Sequence, residues 1–202
     1  MTLAQLRAHS GDAAERLSLL ENEVISDCES CKLHRGRTQL VFGTGNPNAE
    51  LVFVSVGPGA EEDRQGAPVI GAGGAMLDNM LGAMDLKRED VYICTLVKCR
   101  SPNNREPEPD EVHACEPFLR AQIGLVKPKV IVTLGRPAAQ ILLRKKETLL
   151  DIHGQWFRYQ GIDLLPSFDP SYLLRETKYK RAAWEDLKKV MQHLGLQAPQ
   201  KR

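Results

Sequence analysis

No stretch of this sequence approaches the roughly 20 consecutive apolar residues that a membrane helix requires. The opening residues, MTLAQLRAHSGDAAERL, contain neither a hydrophobic core nor a cleavage site of the secretory kind. The chain is therefore expected to be cytoplasmic, with no membrane partner. An excess of one charge is also missing. Lys and Arg total 27 against 26 Asp and Glu, for a formal net charge of +1. That balance argues against a protein that coats polyanions wholesale, but a local basic face can still meet phosphates. There is no G-x-x-x-x-G-K-S/T phosphate loop, and GAGGAM (Gly71 to Met76) lacks the spacing of a dinucleotide fingerprint. Both absences weigh against a nucleotide-binding α/β enzyme. No internal repeat or low-complexity segment stands out.

What is present suits one compact domain spanning 1–202. Apolar residues make up 42% and charged residues 26%, values ordinary for a folded soluble chain. Leu17, Leu20 and Val24 lie near helical spacing, which predicts a helix from about Leu3 to Ser26. LVFVSVG (Leu51 to Gly57), VYICTLV (Val91 to Val97) and VIVTLG (Val130 to Gly135) read as buried strands. Helical patterns over Gly74 to Met84, Asp110 to Val126 and Pro137 to Arg144 alternate with them. WFRYQ and DLLPSF read as a fourth strand or a hairpin around Gly161, and a last helix is predicted over Lys180 to Leu194. Asp169-Pro170-Ser171 has the form of a helix start, with Asp as N-cap and Pro in the first turn. Strands alternating with helices imply a three-layer α/β/α fold around a mainly parallel four-stranded sheet. Ligands of such sheets lie beyond the carboxyl ends of the strands.

Five cysteines occur, at Cys28, Cys31, Cys94, Cys99 and Cys115. Clustered thiols in a reducing compartment hold metal more often than disulfides. Cys28 and Cys31 form C-x-x-C, without the strand that would precede a thioredoxin-like redox pair. With Cys99 and Cys115, which flank a loop rich in Pro and Asn, they make a four-thiolate set suited to tetrahedral zinc or to an iron–sulfur cluster. Spacing alone leaves those two open, along with the plainer reading of five unrelated buried thiols. Cys94, inside a predicted strand, reads as a small core residue.

Several ordered motifs then resemble one family. Phe53 to Gly71, with Pro58-Gly59-Ala60-Glu61-Glu62-Asp63, Gly66 and Pro68, resembles the first signature of the family 4, iron–sulfur type of uracil-DNA glycosylase. VKCRSPNNREPEPDEVHACEPFL (Val97 to Leu119) is similar to its middle signature, and DPSYLLR (Asp169 to Arg175) to its last. C-x-x-C-x-L-H-x-x-R (Cys28 to Arg37) matches its amino-terminal segment. The similarity runs from about residue 20 to 195. It implies a [4Fe–4S] cluster on Cys28, Cys31, Cys99 and Cys115 that ties the N-terminal helix and C-x-x-C segment to the core. It also implies a monomer that acts on lesion-containing DNA, single- or double-stranded, and hydrolyses the N-glycosidic bond of uracil or another damaged base.

The resemblance implies roles residue by residue. Glu62, Asp63, Asn104 and Asp169 take catalytic positions, and Gly57, Pro58, Gly59, Val69, Thr95 and Ser171 take base-pocket positions. Lys98, Arg100, Arg105, Tyr172 and Arg175 take DNA-binding positions, with Lys178, Lys180 and Arg181 as further basic groups. Plainer readings stand beside these: Glu62 and Asp63 as acids at a helix start, Asp169 as an N-cap, and the cations as a solvated face. Four positions depart from the family pattern. Val56 stands where the family has an acid, Val69 where it has a stacking phenylalanine, Thr95 where it has an asparagine, and Asp169 where it has a histidine. An ionised carboxylate about 4 Å from a departing anionic base costs roughly 4 kcal/mol at an effective dielectric near 20, on the order of a thousandfold in rate. These departures open an alternative: an iron–sulfur DNA-binding homologue that keeps the fold without base excision.

Overall fold

The computed structural model describes residues 1–196. Its centre is a sheet of six strands, β1 (Gly43–Gly45), β2 (Leu51–Ser55), β3 (Tyr92–Thr95), β4 (Val130–Leu134), β5 (Phe157–Tyr159) and β6 (Ile162–Ser167). They are ordered β1-β3-β2-β4-β6-β5. β3, β2, β4 and β6 are mutually parallel and correspond to the four strands expected. The sheet is wider than expected because β1 and β5 add an antiparallel strand at each edge. β1 is Gly-Thr-Gly, which carries no apolar alternation to reveal it. β5 and β6 form the hairpin around Gly161, through a turn in which Gln160 (φ 52°) and Gly161 (φ 83°) are both left-handed. Two-residue hairpins need that geometry to match strand twist.

Both faces of the parallel strands are buried, so their sequences read as continuous apolar runs. Side chains still alternate between two cores. Val52, Val54 and Ile131 face one core, with Leu119 and Ile123 of α5 (Pro109–Val126). Leu51, Phe53, Val130 and Val132 face the other, with Leu77 and Leu81 of α4 (Gly71–Ala83) and Leu187 and Val190 of α9 (Lys180–Leu194). These are the three layers.

The long N-terminal helix is broken into α1 (Leu3–Ala8) and α2 (Ala13–Leu19), the latter running on into a π-turn over Leu20–Val24. Asp12 starts α2 as its N-cap, accepting from the Glu15 amide at 2.8 Å, a signal that helical periodicity alone passes over. Two short helices were not anticipated: α3 (Ala60–Gln65), inside the glycine-rich loop, and α7 (Leu149–Ile152). α6 (Arg136–Leu143) and α8 (Pro170–Arg175) complete the set used below. Among the described residues no helix is long and apolar enough to cross a membrane.

Candidate active site and four-cysteine cavity

From β2 the sheet spreads to β3 on one side and to β4 on the other. The crevice beyond the carboxyl ends of β2 and β4 is thus the topological switch point, where open α/β sheets bind ligands. A cavity of about 730 Å³ lies there. Its walls come from the segments that follow all four parallel strands: Ser55 to Gly59 after β2, Val97 and Ser101 to Pro107 after β3, Leu134 to Pro137 after β4, and Phe168 to Arg175 after β6. Val69 and α7 close the remainder through Leu149 and Leu150.

Of the non-cysteine residues expected in the site, Gly57, Pro58, Gly59, Glu62, Val69, Asn104, Arg105, Asp169, Ser171, Tyr172 and Arg175 line this one cavity. Asp63, Thr95, Lys98 and Arg100 do not line it. Asp63 is buried and accepts the Thr38 amide at 2.8 Å, stitching the segment after the cysteine pair onto α3. Thr95 is buried at the end of β3, with its hydroxyl 3.5 Å from the Val41 carbonyl. Lys98 is 1% exposed, and its Nζ donates to the carbonyls of Thr95 (2.7 Å) and Phe42 (3.1 Å). Burial holds its pKa below the usual lysine value. As folded it cannot reach a phosphate, which corrects the expectation drawn from its charge. Arg100 donates to the Asn104 side-chain oxygen at 2.9 Å and braces the loop from behind.

Glu62 reaches the cavity, but both of its oxygens are engaged. Oε2 accepts the Gly59 amide at 3.0 Å and Oε1 the Ile70 amide at 3.1 Å. The carboxylate clasps the start of α3 to the start of α4 and so shapes the glycine-rich loop. Val69 has φ 50°, a strained conformation for a β-branched residue. Arg88 holds it there, donating to the Val69 carbonyl at 2.6 Å and to Asp78 at 2.6 Å. α4 passes so close that a Cβ on Gly74 would meet the Val69 carbonyl oxygen at 2.7 Å.

Asp169 is the N-cap of α8, accepting the Tyr172 amide at 3.0 Å. Burial raises its pKa above the ordinary aspartate value, opposed by the amides of α8 and by Arg175. Arg105 lines the cavity, but its guanidinium forms a bidentate pair with Glu111 (2.6 and 2.8 Å), whose carboxylate is fully buried. It acts as a strut for the Ser101–Glu108 wall. Arg175 is exposed on α8, whereas Tyr172 is half-buried and stacked on Tyr179, ring centroids 5.8 Å apart.

Residues the sequence did not single out also line the cavity: Ser101, Arg136, Leu149, Leu150 and Phe168. Arg136 opens α6 directly after Gly135 and is paired with Glu106 across the cavity rim. Its place immediately after a strand end was the available signal. Leu150 is 56% exposed, unusual for a leucine beside a cavity.

Behind the Ser101–Glu108 wall lies a second, small cavity. Cys28, Cys31, Cys99 and Cys115 all line it, together with His34, Lys98 and Phe118. Cys99 and Cys115 are buried, whereas Cys28 and Cys31 are partly exposed. Burial pushes the Cys115 thiol up to about 11 and raises Cys99 as well. Donors reach two of the sulfurs, and a third sulfur donates. Arg37 Nη1 lies 3.3 Å from Cys99 Sγ and the Lys98 amide 3.3 Å from Cys115 Sγ, while Cys28 Sγ donates to the Ser30 hydroxyl oxygen at 3.3 Å. Cys94 is fully buried in β3 as a core residue.

Comparison with known proteins places these features in context. A family model described as "Uracil DNA glycosylase superfamily" matches residues 42–188. A Type-4 uracil-DNA glycosylase of Thermotoga maritima is 42% identical over 180 residues, covering 87% of this chain and 94% of that protein. One from Archaeoglobus fulgidus is 36% identical over 193 residues, covering 92% and 96%. Among solved structures, wild-type SMUG2 of Pedobacter heparinus superposes with a TM-score of 0.50 at 11% identity, over 73% of this chain and 76% of that one. At that identity the likeness concerns the fold.

Proposed function

Since the chain belongs to the uracil-DNA glycosylase superfamily, we propose that it is a DNA-repair glycosylase that hydrolyses the N-glycosidic bond of uracil or of another damaged base, with the switch-point cavity as its active site. One observation carries this reading: eleven positions scattered from Gly57 to Arg175 line a single cavity beyond the parallel strands. The substrate nucleotide must leave its stack, at a cost of a few kcal/mol. The exposed face of Tyr172 and Arg175 offers contact to the strand around it. The flipped base then enters between the Gly57–Gly59 turn and Val69, with Asn104 and Ser171 supplying side-chain polar groups. Val69 cannot give the roughly 1–3 kcal/mol of stacking that an aromatic ring supplies.

Asp169 decides how the reaction runs. As a carboxylate it opposes charge that develops on the leaving base; in its protonated form it can donate to it. Burial raises its pKa above the ordinary aspartate value, which favours the protonated form relative to a free aspartate. Glu62 positions the loop, because both of its oxygens hold backbone amides.

The four-cysteine cavity is proposed to hold a [4Fe–4S] cluster on Cys28, Cys31, Cys99 and Cys115, and the donor set fits one. All four cysteines line one cavity. A cubane takes four thiolates, one per iron. Bound there, the cluster supplies a cross-link between the N-terminal segment and the loop after β3, making 1–202 a single domain. Arg175 lines the cavity and supports DNA, single- or double-stranded, as the partner; the reading is completed by a monomer acting in the cytoplasm.

The test is a single-turnover panel: strands carrying uracil, hypoxanthine, xanthine or deaminated methylated bases, read as abasic product. Product from at least one lesion is expected. Salt-sensitive DNA binding without product from any lesion would support the non-catalytic reading favoured by Val56, Val69 and Asp169 in the cavity.

A further inference from the structure

We propose that Arg37 is the positioning residue of the four-cysteine cavity, fixing Cys28 relative to Cys99 and tuning the group the thiolates bind. The proposal rests on the iron–sulfur reading of that cavity. One nitrogen of Arg37, Nη1, reaches both the Cys28 carbonyl at 2.8 Å and Cys99 Sγ at 3.3 Å. Nη2 lies 3.5 Å from the Ser26 carbonyl. Residues 27–31 lie in neither helix nor strand. No backbone ladder therefore sets the distance between the C-x-x-C pair and the loop after β3. A side chain that grips main chain on one side and sulfur on the other does.

The other donor to one of these sulfurs, the Lys98 amide, is neutral; Arg37 is the charged one. Four thiolates gathered in a partly buried cavity accumulate negative charge, and a guanidinium at one of them offsets it. A hydrogen bond to a ligand sulfur also withdraws electron density and favours the reduced state of an iron–sulfur centre. The planar fork of arginine can hold carbonyl and sulfur together, whereas lysine keeps the charge without the fork.

The experiment compares anaerobically purified wild type, R37M and R37K as full chains. Three quantities are read: iron and sulfide per chain, the rate of visible bleaching in air with EDTA, and the midpoint potential. Thermal unfolding is recorded in parallel. We expect R37M to bleach about 10–100-fold faster than wild type and to have a lower midpoint potential, with R37K between the two. A role in packing alone predicts a lower Tm with wild-type bleaching and potential well below that Tm, and this result would overturn the proposal. Where R37M does not accumulate, R37K carries the decision: bleaching and potential equal to wild type would overturn it. Wild-type protein without iron or sulfide removes the cluster reading and this proposal together. A brown wild type beside an indifferent R37M removes the role of Arg37 alone.

Discussion

At Asp169 two roles meet in one carboxylate. As N-cap it accepts the Tyr172 amide, and as a cavity residue its charge faces the base in the proposed reaction. Two variants separate these roles. Asp169→Ala loses the cap and is expected to cost about 1 kcal/mol in urea unfolding. Asp169→Asn keeps an acceptor and removes the charge, so stability at neutral pH stays near wild type while uracil release rises, by up to about a thousandfold if the full repulsion is relieved. The pH sign follows from burial. Because the folded pKa is raised, the folded state binds the proton more tightly than the unfolded chain. Stability from this group is therefore full below the unfolded value of about 3.9 and declines as pH rises through the folded pKa. Asp169→Asn should flatten that part of the curve of urea midpoint against pH. Asp186, also buried with a raised pKa, contributes a second decline of the same sign that this substitution leaves in place. Residue chemistry was the least legible level in the sequence. Lys98 has the composition of a phosphate contact, yet its ammonium is buried against two carbonyls. Asp63 follows Glu62 directly, but helix geometry turns it inward to Thr38. Charge is readable from sequence; the direction in which a side chain points is not.

Elements were legible wherever apolar periodicity was strong. Leu51–Ser55, Tyr92–Thr95, Val130–Leu134 and Lys180–Leu194 fall where expected. β1, α3 and α7 did not announce themselves, because three to six residues are too few to establish a period. α3 matters most for the site, since it turns Glu62 into the clasp between Gly59 and Ile70. Replacing Glu62 with Ala should cost about 2 kcal/mol in urea unfolding, the scale of hydrogen bonds to a charged group. Loss of excision without loss of stability would instead mean that its oxygens serve the reaction directly. α4 offers a parallel test. Gly74→Ala improves helix propensity by about 1 kcal/mol but drives a methyl into the Val69 carbonyl. A net destabilisation of about 1–2 kcal/mol is expected, together with weaker binding of lesion-containing DNA, because the strained Val69 wall must shift.

On the scale of the whole molecule, net charge says little about DNA binding, and the distribution of charge says more. Arg105 and Arg175 both line the cavity, but Arg105 is committed to Glu111. Arg175→Ala should reduce the slope of log affinity against log salt by about 0.9 on duplex DNA, or about 0.7 on single strands. Arg105→Ala should leave that slope nearly unchanged while lowering stability. Equal slopes for the two variants would place the strand elsewhere on the surface. The three-layer architecture was legible because alternating strand and helix patterns admit few arrangements. The width of the sheet was not, because both edge strands are short.

The cysteine cavity takes its walls from the beginning and the middle of the synthesis programme. Cys28 and Cys31 leave the ribosome early, but Cys115 belongs to α5, and until that helix emerges the pocket has no far wall. The amino-terminal segment must therefore wait, thiols open to oxidants and backbone open to proteases, until more than half the polypeptide has been made. A group that needs all four thiols could therefore be completed only once synthesis has passed the middle of the chain.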